Sequence, residues 1–68
     1  MIIAERVNLY LTARRPGEVC DACVASHLGL RHQQANRVTM ALGTTSDFTR
    51  EMGVCADCER ELTITRRN

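Results

Sequence analysis

Sixty-eight residues with a formal net charge of +1 describe one small domain, 1–68, and its nine basic residues are all Arg, set against eight acids. Apolar burial alone rarely gives a chain this short more than ~3–5 kcal/mol, and with Tyr10 and Phe48 as the only aromatics the core must be small and aliphatic, so a staple is expected. No apolar run approaches the ~18–20 residues that span a bilayer, and the near-neutral charge does not by itself point to a nucleic-acid partner.

In chain order, Ile3, Val7, Tyr10 and Leu11 fall at helical spacing and predict a first helix over residues 2–14. A strand reading through Ile3, Val7, Leu9 and Leu11 fails only at Glu5. Pro16-Gly17 breaks the chain. A second helix should open near Cys20 or Asp21, with Asp as an N-cap suited to the positive helix end. Val24, Ala25 and Leu28 form its inner stripe, Gly29 ends it and Leu30 plugs the turn. A third helix, from about Arg31 to Leu42, turns Ala35, Val38 and Leu42 inward and stops at Gly43. From Ser46 the period becomes alternating, with Phe48, Met52, Val54, Leu62 and Ile64 on one side and Thr49, Thr63 and Thr65 on the other, which predicts a β-hairpin. Arg66-Arg67-Asn68 reads as a frayed tail.

All four cysteines fall in two CxxC pairs, Cys20/Cys23 and Cys55/Cys58, separated by 31 residues. Two such pairs in one small domain mark a tetrahedral four-thiolate site for one structural Zn²⁺. The second pair would form the hairpin tip, a knuckle whose backbone N–H groups donate to the thiolates. Disulfides are the rival reading and need an oxidising compartment. Met1-Ile2-Ile3-Ala4 is followed at once by Glu5 and Arg6, which is not a secretory signal, so a cytoplasmic location is expected. A redox-active CxxC is disfavoured because neither pair lies in a βαβ pattern.

Positive charge is concentrated in the middle of the chain, where Arg31, Arg37 and Arg50 face only Asp47. Two helices joined by a three-residue Gly turn, followed by a hairpin, give the order of a winged helix-turn-helix. Gln33, Arg37, Met40 and Thr44 point away from the core of the third helix, flanked by Asn36 and Gln34, with Arg31 and His32 at its N-terminus. This face carries donors and no carboxylate. Arg pairs bidentately with guanine, and Gln or Asn with adenine, so Arg31, His32, Gln33, Asn36, Arg37 and Met40 are candidate contacts to double-stranded DNA. The same residue types also occur on any solvated helix. Glu51, Asp57, Glu59 and Glu61 crowd the hairpin and repel phosphates, leaving Arg50, Arg60, Arg66 and Arg67 as its cations, or they pair with the basic Arg14-Arg15 turn.

The stretch from Gly17 to Arg67 resembles small bacterial winged helix-turn-helix proteins with a zinc-ribbon-type four-cysteine site. Both CxxC pairs, Leu28-Gly29-Leu30 and Gln34-Ala35-Asn36-Arg37-Val38 carry the resemblance. It implies an α+β fold of three helices and a C-terminal hairpin with a zinc knuckle at its tip, and a DNA-binding transcriptional regulator. Glu59 departs from it, standing where a knuckle commonly has Gly after its last Cys.

An enzyme is not expected. Ser26 and His27 are sequence neighbours that point about 100° apart on a helix, and four thiolates close the metal sphere. Replacement of a cysteine ligand by His27 or His32 would require one of the CxxC pairs to break. No small-molecule substrate is expected. The alternative is a zinc-stabilised protein–protein interaction module, suggested by Ile2, Leu9 and Met40 outside the core stripes. A homodimer through the first helix would serve either reading.

Overall fold

The computed structural model describes residues 2–68; Met1, the first residue of the expected 1–68 domain, lies outside the described residues. The chain is mixed α+β. Helix α1 (Ile3–Arg14) is followed by a short strand β1 (Val19–Cys20), helices α2 (Asp21–Leu28) and α3 (His32–Leu42), and strands β2 (Phe48–Val54) and β3 (Glu61–Arg67). The three strands form an antiparallel sheet in the order β1-β3-β2.

Helix α1 forms where the helical period predicts it: Val7 and Leu11 are fully buried, with Ile3 and Tyr10 packed beside them. The alternating reading of this segment is excluded. Arg6 Nη2 reaches across to the Leu28 carbonyl (2.7 Å), satisfying one of the free acceptors at the end of α2. Gly29 closes α2 in the left-handed conformation (φ 67°), which a residue with a Cβ adopts only at a cost. Leu30 then packs against the core before α3 begins. Arg31 is the N-cap of α3, and the Gln34 side chain accepts from its backbone N–H (3.0 Å). Ala35 is fully buried and Val38 and Leu42 are half-buried, but Thr39, not expected inside, is fully buried as well.

Strand β1 was not anticipated by the pattern, because two residues are too few to show a period. Val19 pairs with Thr65 and Cys20 with Ile64. This makes β3 the central strand, and its neighbours Ile64 and Thr65 are both fully buried, Ile64 in the apolar core and Thr65 accepting from Arg50. The expected outward Thr65 is therefore corrected. So are Met52 and Val54, expected inside but 65% and 54% exposed near the tip end of the edge strand β2. Arg66 and Arg67 belong to β3 and are not a frayed tail: Arg66 bridges Glu18 and Glu51, and Arg67 lies over the Phe48 ring at 5.2 Å.

Asp21 is the most consequential correction. It is the first residue of α2, not its N-cap, and only 7% exposed. Its carboxylate accepts from Thr39 Oγ1 (2.6 Å), Asn36 Nδ2 (2.7 Å) and Arg50 Nη1 (3.0 Å), and the same Arg50 nitrogen also reaches Thr39 (2.9 Å) and Thr65 (3.2 Å). One polar knot thus joins α2, α3, β2 and β3. Gly43 admits it: a Cβ there would stand 3.0 Å from the Arg50 stem.

Candidate metal centre and the exposed face of the third helix

Strand β1 runs toward the hairpin tip and delivers Cys20, with Cys23 on the first turn of α2, beside the β2–β3 connection. That connection, 55–60, folds back onto β1. Ala56 N–H donates to the Glu18 carbonyl (2.7 Å), and Cys20 N–H to Cys55 Sγ (3.4 Å). Within it, Cys55 N–H donates to the Arg60 carbonyl (3.0 Å) and Glu59 N–H to that of Cys55 (2.9 Å). Glu59 takes φ 60°, the conformation that Gly would adopt without strain.

Cys20, Cys23, Cys55 and Cys58 come together with all four sulfurs within 4.8 Å of one another. Cys20 Sγ lies 3.7 Å from Cys58 Sγ, and Cys23 Sγ 3.6 Å from Cys55 Sγ. A tetrahedron of thiolates about 2.3 Å from a central ion has edges of roughly 3.8 Å, so the four residues fit one metal ion. They are free thiols, not disulfides. Burial drives the Cys20 and Cys23 thiols up. Burial acts in the same direction on Cys55, but N–H groups of Cys58, Cys20 and Asp57 outweigh it and hold that thiol low. The Arg60 guanidinium and backbone N–H bring Cys58 down to about 6.

A second cluster fastens the tip. Asp57 pairs with Arg14 of α1 and with His27 Nε2 of α2 (2.9 Å), and Tyr10 stacks on the His27 ring at 5.4 Å. The hydrogen bond from Arg14 does most to hold the Asp57 carboxyl below its usual range. Pairing of the acidic hairpin with the Arg14 turn therefore occurs, but through Asp57 alone. His27 is occupied in this cluster and His32 is exposed at the start of α3, so neither joins the sulfur group.

On α3, Arg31, His32, Gln33, Arg37 and Met40 are exposed, and the helix carries no carboxylate. Asn36 differs from expectation: it is half-buried and its amide donates to Asp21 Oδ2, because it serves the polar knot. It borders a cleft of about 260 Å³ between the hairpin and the first turns of α2 and α3, together with His32, Arg50 and Leu62. Of the hairpin cations, Arg50, Arg66 and Arg67 are ion-paired, leaving Arg60. Sequence reasoning missed Asp21, Thr39 and Arg50 as a unit; a Thr at an inward helical position was the available signal.

Among the described residues no helix is long and apolar enough to cross a membrane. Comparison with protein-family models, curated proteins and solved structures finds no match to this chain.

Proposed function

We propose that the chain is a winged helix-turn-helix, stapled by Zn²⁺ through Cys20, Cys23, Cys55 and Cys58, that binds double-stranded DNA in the cytoplasm through α3 and acts in transcription regulation. The observation that carries this reading is the exposed, carboxylate-free face of α3, following α2 across the Gly29-Leu30-Arg31 turn. The order α1-β1-α2-α3-β2-β3 with sheet order β1-β3-β2 supports it, because the hairpin then flanks α3 as a wing. Four thiolates favour zinc, close its coordination sphere and make its role structural.

Arg31, Gln33 and Arg37 supply base-edge and phosphate contacts, His32 a donor at the helix start and Met40 an apolar contact. Asn36, bound to Asp21, is left out. The wing contributes little, since Asp57 docks its tip onto α1 and α2 and only Arg60 is unpaired by an acid.

The test is fluorescence anisotropy of a labelled mixed-sequence duplex titrated with metal-loaded protein at several salt concentrations. Arg15, Arg31, Arg37 and Arg60 form no ion pair among the described residues and are the cations available to phosphates. With roughly −0.9 per phosphate neutralised, the log–log salt slope should lie at about −2 to −4. Absence of binding at low salt would overturn the reading in favour of a zinc-stabilised protein-interaction module. The exposed Ile2 at the N-cap of α1, Leu9 on α1, and Met52 and Val54 on β2 favour that second reading.

A further inference from the structure

Within the four-sulfur cluster, two close contacts cross from one CxxC motif to the other. The contacts at 3.7 Å (Cys20 to Cys58) and 3.6 Å (Cys23 to Cys55) each link one CxxC motif with the other. In each pair one member is buried, Cys20 or Cys55, and one is half-buried, Cys58 or Cys23. Of the two half-buried sulfurs, Cys58 has Arg60 Nε 3.5 Å away, where the guanidinium can bind the peroxide oxygen that leaves as hydroxide.

The geometry points to an oxidation site: hydrogen peroxide oxidises Cys58, and the centre converts to two crossed disulfides, Cys20–Cys58 and Cys23–Cys55, which replace the metal ion as the link between α2 and the hairpin tip. The Cys58 thiolate attacks one peroxide oxygen and the O–O bond breaks. Two electrons pass from sulfur to oxygen, leaving a sulfenic acid on Cys58 and a hydroxide that takes up a proton. Cys20 Sγ then attacks Cys58 Sγ, the S–S bond forms, and the second hydroxide leaves and is protonated to water. A second hydrogen peroxide reacts likewise at Cys23, with Cys55 resolving. In sum two hydrogen peroxide molecules are reduced by four thiolates, four protons are consumed, and the ion, stripped of its ligands, departs.

Each pair must close from about 3.7 Å to the ~2.05 Å of a disulfide, a movement within reach of side-chain rotation once the sulfurs are no longer held around an ion. Bridges within a motif would free the hairpin tip from α2, whereas crossed bridges keep it tied. The inference rests on the four-cysteine site and is independent of duplex binding.

Cleavage before Asp residues separates all four cysteines, since Asp21 lies between Cys20 and Cys23, Asp47 between Cys23 and Cys55, and Asp57 between Cys55 and Cys58. Metal-loaded full chain is treated with hydrogen peroxide, residual thiols are blocked at acidic pH, and the Asp-directed digest is read by mass spectrometry. Fragment 1–20 should be joined to 57–68 and 21–46 to 47–56, with the folded amide spectrum retained. Bridges joining 1–20 to 21–46 and 47–56 to 57–68, or 1–20 to 47–56 and 21–46 to 57–68, as the main products, or loss of the folded spectrum, would overturn the proposal. Metal content measured before oxidation tests the metal reading separately. Arg60→Gln keeps every ligand and should slow peroxide-driven thiol loss several-fold; an unchanged rate overturns Cys58 as the point of entry.

Discussion

Replacing Asp21 by Asn probes the polar knot with almost no change of shape. Both carboxylate oxygens act as acceptors, Oδ1 from Thr39 and Arg50, and Oδ2 from Asn36 and Arg50. An amide has one oxygen, so whichever way it is turned its NH2 meets a donor. The substitution also removes the negative partner of Arg50, whose side chain is only 19% exposed. Hydrogen bonds to charged groups contribute ~1.5–3 kcal/mol, and orphaning one member of a buried ion pair costs ~3–5 kcal/mol. Because Thr39 and Thr65 still bond Arg50, we expect Asp21→Asn to cost about 2–4 kcal/mol. Burial raises the Asp21 pKa, but hydrogen bonds from Thr39, Asn36 and Arg50 and the Arg50 charge outweigh it, so the folded value is lowered. A lowered folded value contributes stability that is present above the unfolded pKa near ~3.9 and is lost as pH falls through the folded one, so measurement at pH 7 reads it in full. The assay is denaturant unfolding of the metal-loaded protein, followed by amide circular dichroism, for Asp21→Asn, Arg50→Met and the double variant. The pair should show a coupling of ~1–3 kcal/mol. A cost within ~0.5 kcal/mol of zero for Asp21→Asn, with metal content unchanged, would refute the reasoning.

The other expectations concern the knuckle, the staple and α3. Glu59→Gly relieves a left-handed residue and should stabilise the protein by ~0.5–1 kcal/mol; a loss of stability would mean that the Glu59 side chain contributes contacts outweighing its strain. Cys55→Ser, or a strong chelator under reducing conditions, should unfold most of the chain, and a native-like amide spectrum surviving either treatment would remove the metal as the staple. Arg37→Ala should weaken duplex binding by ~1–3 kcal/mol with unfolding stability unchanged, since the side chain is exposed and bonded to nothing among the described residues; unaltered affinity would take Arg37 out of the interface.

Much of the local structure was legible in the residues themselves. Periodicity predicted the three helices and the hairpin, because Val7, Leu11, Val24, Ala25 and Ala35 repeat at the spacing of one helical face and each is buried. Gly29 marked the turn, since few other residues tolerate its backbone angle. The paired CxxC spacing announced a four-sulfur cluster before any tertiary contact was known.

Which side chains meet across the fold was decided only by tertiary structure. The sequence by itself determined the helices, the turn and the two CxxC pairs, because those depend on neighbours within a few residues. It did not determine that β1 makes β3 a central strand, or that Thr65 is buried while Met52 and Val54 are exposed, because the partners lie tens of residues apart. Nor did it distinguish Asp21 as a helix cap from Asp21 as a buried anion, since both suit the start of a helix. Thr39, Asn36 and Arg50 settle that choice by arriving from α3 and β2, and in doing so they engage the half-buried Asn36 amide that its sequence position had left free.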